Sequence, residues 1–203
     1  MLKELFESGF FILYPPKQGA IVNLIEYHFC GKSHLYDIKA CADCRDICNT
    51  NPANREQFRF SCAHVVHALK IDQMLDYIDV GNTLGDNCDY ILDDGNKICL
   101  IEMTCATQQY AVSKRTKCRS QFWNTITLLR NYYPFCLHIE NEQKYVIFSW
   151  RETFTNIDKS DVVEVNMREM TALVDDVYSI DNESNFDNSF KYKEIRYPDI
   201  YQW

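Results

Sequence analysis

Residues 87–105 read NCDYILDDGNKICLIEMTC. Two apolar runs flank Asp94-Gly95, and Asp-Gly between such runs is the strongest short-range hairpin signal. With a two-residue loop Asp89 faces Leu100. Side chains two apart on a strand share a face, so Glu102 and Thr104 join Asp89 there. Asp89 and Glu102 are then diagonal neighbours, roughly 7–8 Å apart between backbones. A four-residue loop keeps this parity, whereas a three-residue loop separates the acids. A carboxylate inside the apolar run Cys99-Leu100-Ile101 has to be paired, bound to a metal or placed at the sheet end. Two carboxylates on one face suit a hard divalent ion, Mg²⁺ or Mn²⁺, which takes oxygen ligands. The plainer reading is a pair of solvated acids at a strand end.

Outward from the hairpin, residues 108–132 read as one long helix with Ala111, Cys118, Phe122, Ile126 and Leu129 as its buried stripe. Tyr133-Pro134 stops it, and residues 144–150 (KYVIFSW) read as a strand. Upstream, residues 64–79 look helical and residues 82–87 form a turn. Residues 9–14 (GFFILY) read as a strand ending at Pro15-Pro16. Residues 19–30 place Ile21, Leu24, Ile25 and Phe29 on one helical face. Residues 31–62 read as loop, short helix and a strand at FRFSC, and residues 167–179 as a helix. These elements give three segments within one domain: 1–63, a strand, a helix and a Cys-rich stretch packed on the core; 64–152, the core; and 153–203, an acidic extension with an aromatic tail. The fold class expected is α/β, or α+β, with a mixed central sheet flanked by helices.

Twenty-one Lys and Arg stand against 29 Asp and Glu, a net charge of −8, which does not favour broad nucleic-acid affinity. A local basic strip remains: Lys114, Arg115, Lys117 and Arg119 cluster on the helix after the hairpin, where a phosphate backbone can pass. The alternative is a solvated helix face. No apolar run reaches transmembrane length, so no membrane partner is expected. The N-terminus lacks the pattern of a signal peptide. The ten cysteines therefore read as thiols in a reducing compartment, the cytoplasm.

The pattern Lys70-Ile-Asp72, then Cys88-Asp89-Tyr90-Ile91-Leu92, a turn, then Leu100-Ile101-Glu102-Met103-Thr104, followed by a helix, resembles the restriction-endonuclease-like PD-(D/E)XK nuclease superfamily. The likeness spans residues 64–132. It implies a restriction-endonuclease-like sheet and a Mg²⁺- or Mn²⁺-dependent nuclease acting on DNA, with Asp89 and Glu102 as metal ligands. It implies Gln121 on the following helix. It also implies a lysine that orients or activates water, and Thr104 occupies that place. A hydroxyl carries no positive charge. Either Lys114 or Lys117 supplies the charge from the next helix, or the site is inactive and the fold serves assembly. Asp72 is then a further ligand or the partner of Lys70.

Cys41-x2-Cys44-x3-Cys48, followed by Cys62-x-His64-x2-His67, has metal-ligand spacing and offers a zinc site, or less readily an iron–sulfur cluster. Buried free thiols are the plain alternative. Phosphate-loop, HExxH and GxSxG motifs are absent. Three functions stay open: a metal-dependent DNA nuclease, as a subunit of a phage-defence (antiviral) or DNA-processing complex; a catalytically inactive nuclease-fold subunit that binds protein partners; and a zinc-stabilised adaptor. The terminal Tyr197, Tyr201 and Trp203 either pack back on the domain or form a docking tail.

Overall fold

A computed structural model of the chain describes residues 2–36, 56–78, 85–106, 108–132, 139–140, 143–152, 184–186 and 189–203. Among the described residues eight strands make one mixed sheet: β1 (Glu26–Tyr36), β2 (Glu56–Lys70), β3 (Tyr90–Asp93), β4 (Ile98–Ala106), β5 (Lys144–Glu152), β6 (Ser184–Asn185), β7 (Lys191–Arg196) and β8 (Ile200–Gln202). Seven of them lie in the order β1-β2-β3-β4-β5-β7-β6, and β8 pairs with β2. The architecture is α+β. The labelled helices are α1 (Ile71–Tyr77) and α2 (Gln108–Tyr132), preceded by three short helical turns, Leu2–Leu5, Phe6–Phe10 and Phe11–Leu13. Among the described residues no helix is long and apolar enough to cross a membrane.

The hairpin forms as the Asp-Gly signal predicts, with a four-residue loop, Asp94 to Lys97, between Asp93 and Ile98. Asp94 nucleates the loop: its Oδ1 accepts from the amides of Asn96 (2.9 Å) and Lys97 (2.8 Å). Gly95 takes φ +89°, a conformation natural to glycine. From β4 the chain enters α2 and returns in β5, which pairs parallel to β4; β7 then adds parallel to β5. A helix is the usual means of joining parallel neighbours.

Each sheet face has its own core. On one, Ile98, Leu100, Val146, Phe148 and Trp150 pack with Cys118, Phe122, Ile126 and Leu129 of α2 and with Phe6 and Phe10 of the N-terminal turns. The predicted α2 stripe is thus buried as expected; the side chain of Ala111 lies outside the described residues. On the other face, Cys99, Ile101, Met103, Ile147 and Ile195 pack with Leu35, Phe58, Phe60 and Tyr201. Here the first half of β2 folds over the sheet. The Ser149 hydroxyl donates to the Gln57 carbonyl at 2.6 Å, and Arg151 donates to the Glu56 carbonyl at 3.0 Å. The aromatic tail packs back. Trp203 donates its indole N–H to Asp94 (2.7 Å), and Lys97 sits over the rings of Tyr145, Tyr201 and Trp203.

Several local expectations are corrected. Residues 9–13 are helical rather than a strand, and Tyr14 follows the last turn. Residues 20–25 are irregular, and β1 starts at Glu26; Ile21 is 87% exposed and Ile25 50% exposed, so no apolar helical stripe exists there. Residues 64–70 continue β2, and among the described residues of the expected 64–79 helix only Ile71–Tyr77 is helical. Of the polar C-terminal stretch, residues 191–196 and 200–202 are strands. The helix expected at 167–179 and the Pro134 stop lie outside the described residues.

Candidate functional site

The β3–β4 ladder ends at Tyr90↔Ile101, and Asp89 stands at the bend just before it, beside the strand that carries Glu102. The Asp89 amide donates to the Ile101 carbonyl (2.9 Å), and the Asp89 carbonyl accepts from Ile71 at the start of α1 (3.1 Å). The backbone of Asp89 is thereby fixed between two elements. Its carboxylate accepts the Met103 amide at 2.7 Å. Glu102 is only 9% exposed.

A third acid joins from the far strand. Glu102 pairs with Phe148 on β5, and Phe148 pairs with Glu194 on β7, so Glu102 and Glu194 share one row and one face. Arg115 of α2 grips the Glu194 carboxylate with two hydrogen bonds, 2.7 and 2.6 Å, and Tyr192 donates to it at 3.4 Å. Above this row lies Cys118. Burial pushes its thiol far up, and the charges of Glu102, Cys88, Asp89 and Glu194 push it further. Burial likewise raises the Tyr192 phenol, with Glu194 adding to it and Arg115 opposing it. Asp89, Glu102 and Glu194 thus all help to keep the buried Cys118 thiol of α2 protonated.

The approach to Asp89 is clamped by α2. Gln121, expected as the family glutamine, donates to the Asn87 carbonyl at 3.0 Å. Thr125, fully buried, accepts the Cys88 amide at 3.0 Å through Oγ1, which also lies 2.9 Å from the Gln121 carbonyl and 3.3 Å from Asn87 Oδ1.

Thr104 is half-buried on the same face of β4 as Glu102, with its hydroxyl donating to the Cys105 carbonyl at 3.4 Å. Of the basic strip, Lys114 is exposed and stands one turn before Cys118 on the same helical stripe. Arg115 is taken by Glu194, Lys117 pairs with Asp86 at 3.1 Å, and Arg119 lies over the rings of Phe186 and Tyr192. Lys70 immediately precedes α1 and makes no side-chain cap to it; its ammonium lies over the Tyr90 ring. Asp72 follows in the first turn of α1, and its side chain lies outside the described residues.

A second group lies at the far edge of the sheet. His28 on β1 pairs directly with His67 on β2, and their Nδ1 atoms are 3.0 Å apart. Glu26, two residues before His28 on the same face, has Oε1 3.4 Å from His67 Nδ1. These three residues can hold a metal ion, with one ligand atom from each lying within 4.8 Å of the others. This trio was not expected as a set. The only signal for it is Glu26-x-His28, which points both side chains one way once the stretch is read as a strand. Of the expected zinc residues, Cys41, Cys44 and Cys48 lie outside the described residues. Cys62 is buried, with its thiol 3.7 Å from the Phe29 carbonyl and 3.5 Å from that of Gly31. His64 is exposed, where three residues of β2 oppose one of β1.

Comparison with family models, curated proteins and solved structures returns no match. The candidate sites rest on their own chemistry.

Proposed function

We propose that this chain is a metal-dependent nuclease that hydrolyses phosphodiesters in DNA, with Asp89 and Glu102 holding Mg²⁺ or Mn²⁺ and working within a protein complex. The supporting observation is proximity: the Asp89 carboxylate accepts the amide of Met103, the residue that follows Glu102, at 2.7 Å. The donor set of the two acids, carboxylate oxygens only, suits a hard divalent ion. Bound there, the ion would polarise a phosphate and lower the pKa of an attacking water. The chain's own residues do the rest. The Asn87–Asp89 segment, clamped by Gln121 and Thr125, fixes the first ligand. Glu194, neutralised by Arg115, contributes no net charge against an approaching phosphate. Lys114 stabilises the charge that develops on the phosphate, the role for which Thr104 lacks an ammonium.

A second reading has an observation of its own. Arg115, Lys117 and Arg119 are engaged within the chain, which favours a nuclease-fold subunit that assembles with partners and does not cleave.

Cleavage of labelled single- and double-stranded DNA with Mg²⁺ or Mn²⁺ separates the two. Metal-dependent cleavage by the wild type, abolished in Glu102→Ala and reduced at least about 100-fold in Lys114→Ala, supports the nuclease. Equal activity in the wild type and Glu102→Ala, or none in either with the partner complex present, rejects it.

A further inference from the structure

We propose that Glu26, His28 and His67 form a binding site for a borderline divalent transition metal of the zinc class, separate from the acids beneath α2. The donor chemistry points to this class. Two imidazole nitrogens and one carboxylate oxygen suit zinc and its neighbours, whereas Mg²⁺ favours oxygen alone.

The spacing agrees. Zn–N and Zn–O bonds of about 2.0–2.1 Å in a tetrahedron put neighbouring ligand atoms about 3.3 Å apart. The two Nδ1 atoms lie 3.0 Å apart, and Glu26 Oε1 lies 3.4 Å from His67 Nδ1. Both separations are within a few tenths of an ångström of the tetrahedral edge. The third separation, between His28 and Glu26, is bounded by 4.8 Å, and the strands preset the positions of all three. His28 and His67 are register partners, and Glu26 lies on the same face of the same strand as His28. In the metal-free chain one Nδ1 has to donate to the other. An ion between the rings binds both through their lone pairs.

Burial is graded in a way that suits a ligand site. The Glu26 side chain is 9% exposed and that of His67 is 18% exposed, while His28 faces solvent. A carboxylate so nearly buried gains from a cation beside it. Three protein ligands leave a fourth tetrahedral position, and on this outward face water takes it. Sites with three protein ligands and one exchangeable position accept a substrate oxygen as well as water. The ion also ties β1 to β2 just ahead of the irregular stretch between Phe29 and Gly31, where the ladder is interrupted. Binding therefore stabilises the β1–β2 pairing as well as occupying the site.

The test uses the full chain, stripped with a chelator and titrated with zinc against a chromogenic competitor. Cobalt titration follows the visible ligand-field bands and the near-ultraviolet thiolate charge-transfer band. The exposed His28 allows His28→Ala without disturbing the core, and Glu26→Gln is the second variant. Circular dichroism checks that both fold. The expected result is that each variant binds one equivalent fewer than the wild type, or binds it about 100-fold or more weakly. That is the upper end of what losing even an outer-shell partner costs. The cobalt bands lost with His28 carry no thiolate component, and the zinc-induced rise in melting temperature shrinks in the variants. The same stoichiometry and affinity in wild type, His28→Ala and Glu26→Gln would overturn the assignment. So would bands that carry thiolate charge transfer and survive His28→Ala, because the metal would then sit on cysteines.

Discussion

Thr125→Val isolates the clamp that leads into Asp89. Valine keeps the shape of threonine, so the variant opens no cavity in a position that is 0% exposed. It removes the acceptor of the Cys88 amide, 3.0 Å away, and the hydroxyl facing the Gln121 carbonyl at 2.9 Å. Taking a partner from buried polar groups costs roughly 1–3 kcal/mol. A cost of about 2 kcal/mol, divided by a urea slope of about 2 kcal/mol/M, lowers the denaturation midpoint by about 1 M. Thr125→Ser is the counter-variant. It keeps the hydroxyl and gives up one methyl group, at about 1 kcal/mol. The clamp reasoning therefore ranks serine above valine, and reasoning from apolar packing alone ranks them the other way. Urea unfolding of the three proteins decides, with amide exchange at Cys88 as the local readout. A valine variant as stable as wild type, or more stable than the serine variant, would refute the clamp.

Three further outcomes follow from the same structure. Arg115→Ala strips the two-pronged partner from Glu194, where both side chains are about 20% exposed, and is expected to cost about 2 kcal/mol, reduced from the fully buried case by solvent; Glu194→Gln in that background should recover part of the loss in thermal unfolding. Phe122→Ala, at a fully buried position between α2 and the sheet, is expected to cost about 3–5 kcal/mol by urea titration. Burial raises the Cys99 thiol from 9.0 to about 12, so the folded protein holds a proton that the unfolded chain releases. The stability contributed by Cys99 is complete below pH 9 and is lost as pH rises toward 12; Cys99→Ala should flatten that alkaline decline in unfolding midpoints measured from pH 8 to 11.

The hairpin, α2 and β5 were legible because each carries a strong local signal: Asp-Gly between apolar runs, a sustained stripe, and a run of β-branched and aromatic residues. The expected acid parity assumed an unbroken ladder, whereas pairing stops at Tyr90↔Ile101 and Asp89 lies at a bend before it. The misreadings have physical causes. In GFFILY every position is apolar, so no period separates strand from helix. In HVVHALK the apolar residues fall on both faces because both faces are covered: Val66 and Ala68 join one core and Leu69 the other. That two-sided burial mimics a helical pattern. The apolar residues at 21, 24 and 25 have helical spacing, yet only Leu24 is buried. Glu194 and the Glu26–His28–His67 group were not visible because strand pairing, rather than sequence proximity, brings their members together.

The strand order also carries a consequence for how the molecule is made. β4, with its run of apolar residues, emerges from the ribosome paired only to β3 until residues 144–152 arrive to cover its other edge. Ile200 pairs with Arg59, so the second core stays open until nearly the whole chain has been synthesised. Long-range closure of this kind is slow, and an uncovered strand edge recruits other chains while it waits. Slow translation of residues 107–143 would prolong that exposure and favour aggregation of nascent chains, and holdase chaperones that bind extended apolar segments would be the natural remedy during synthesis.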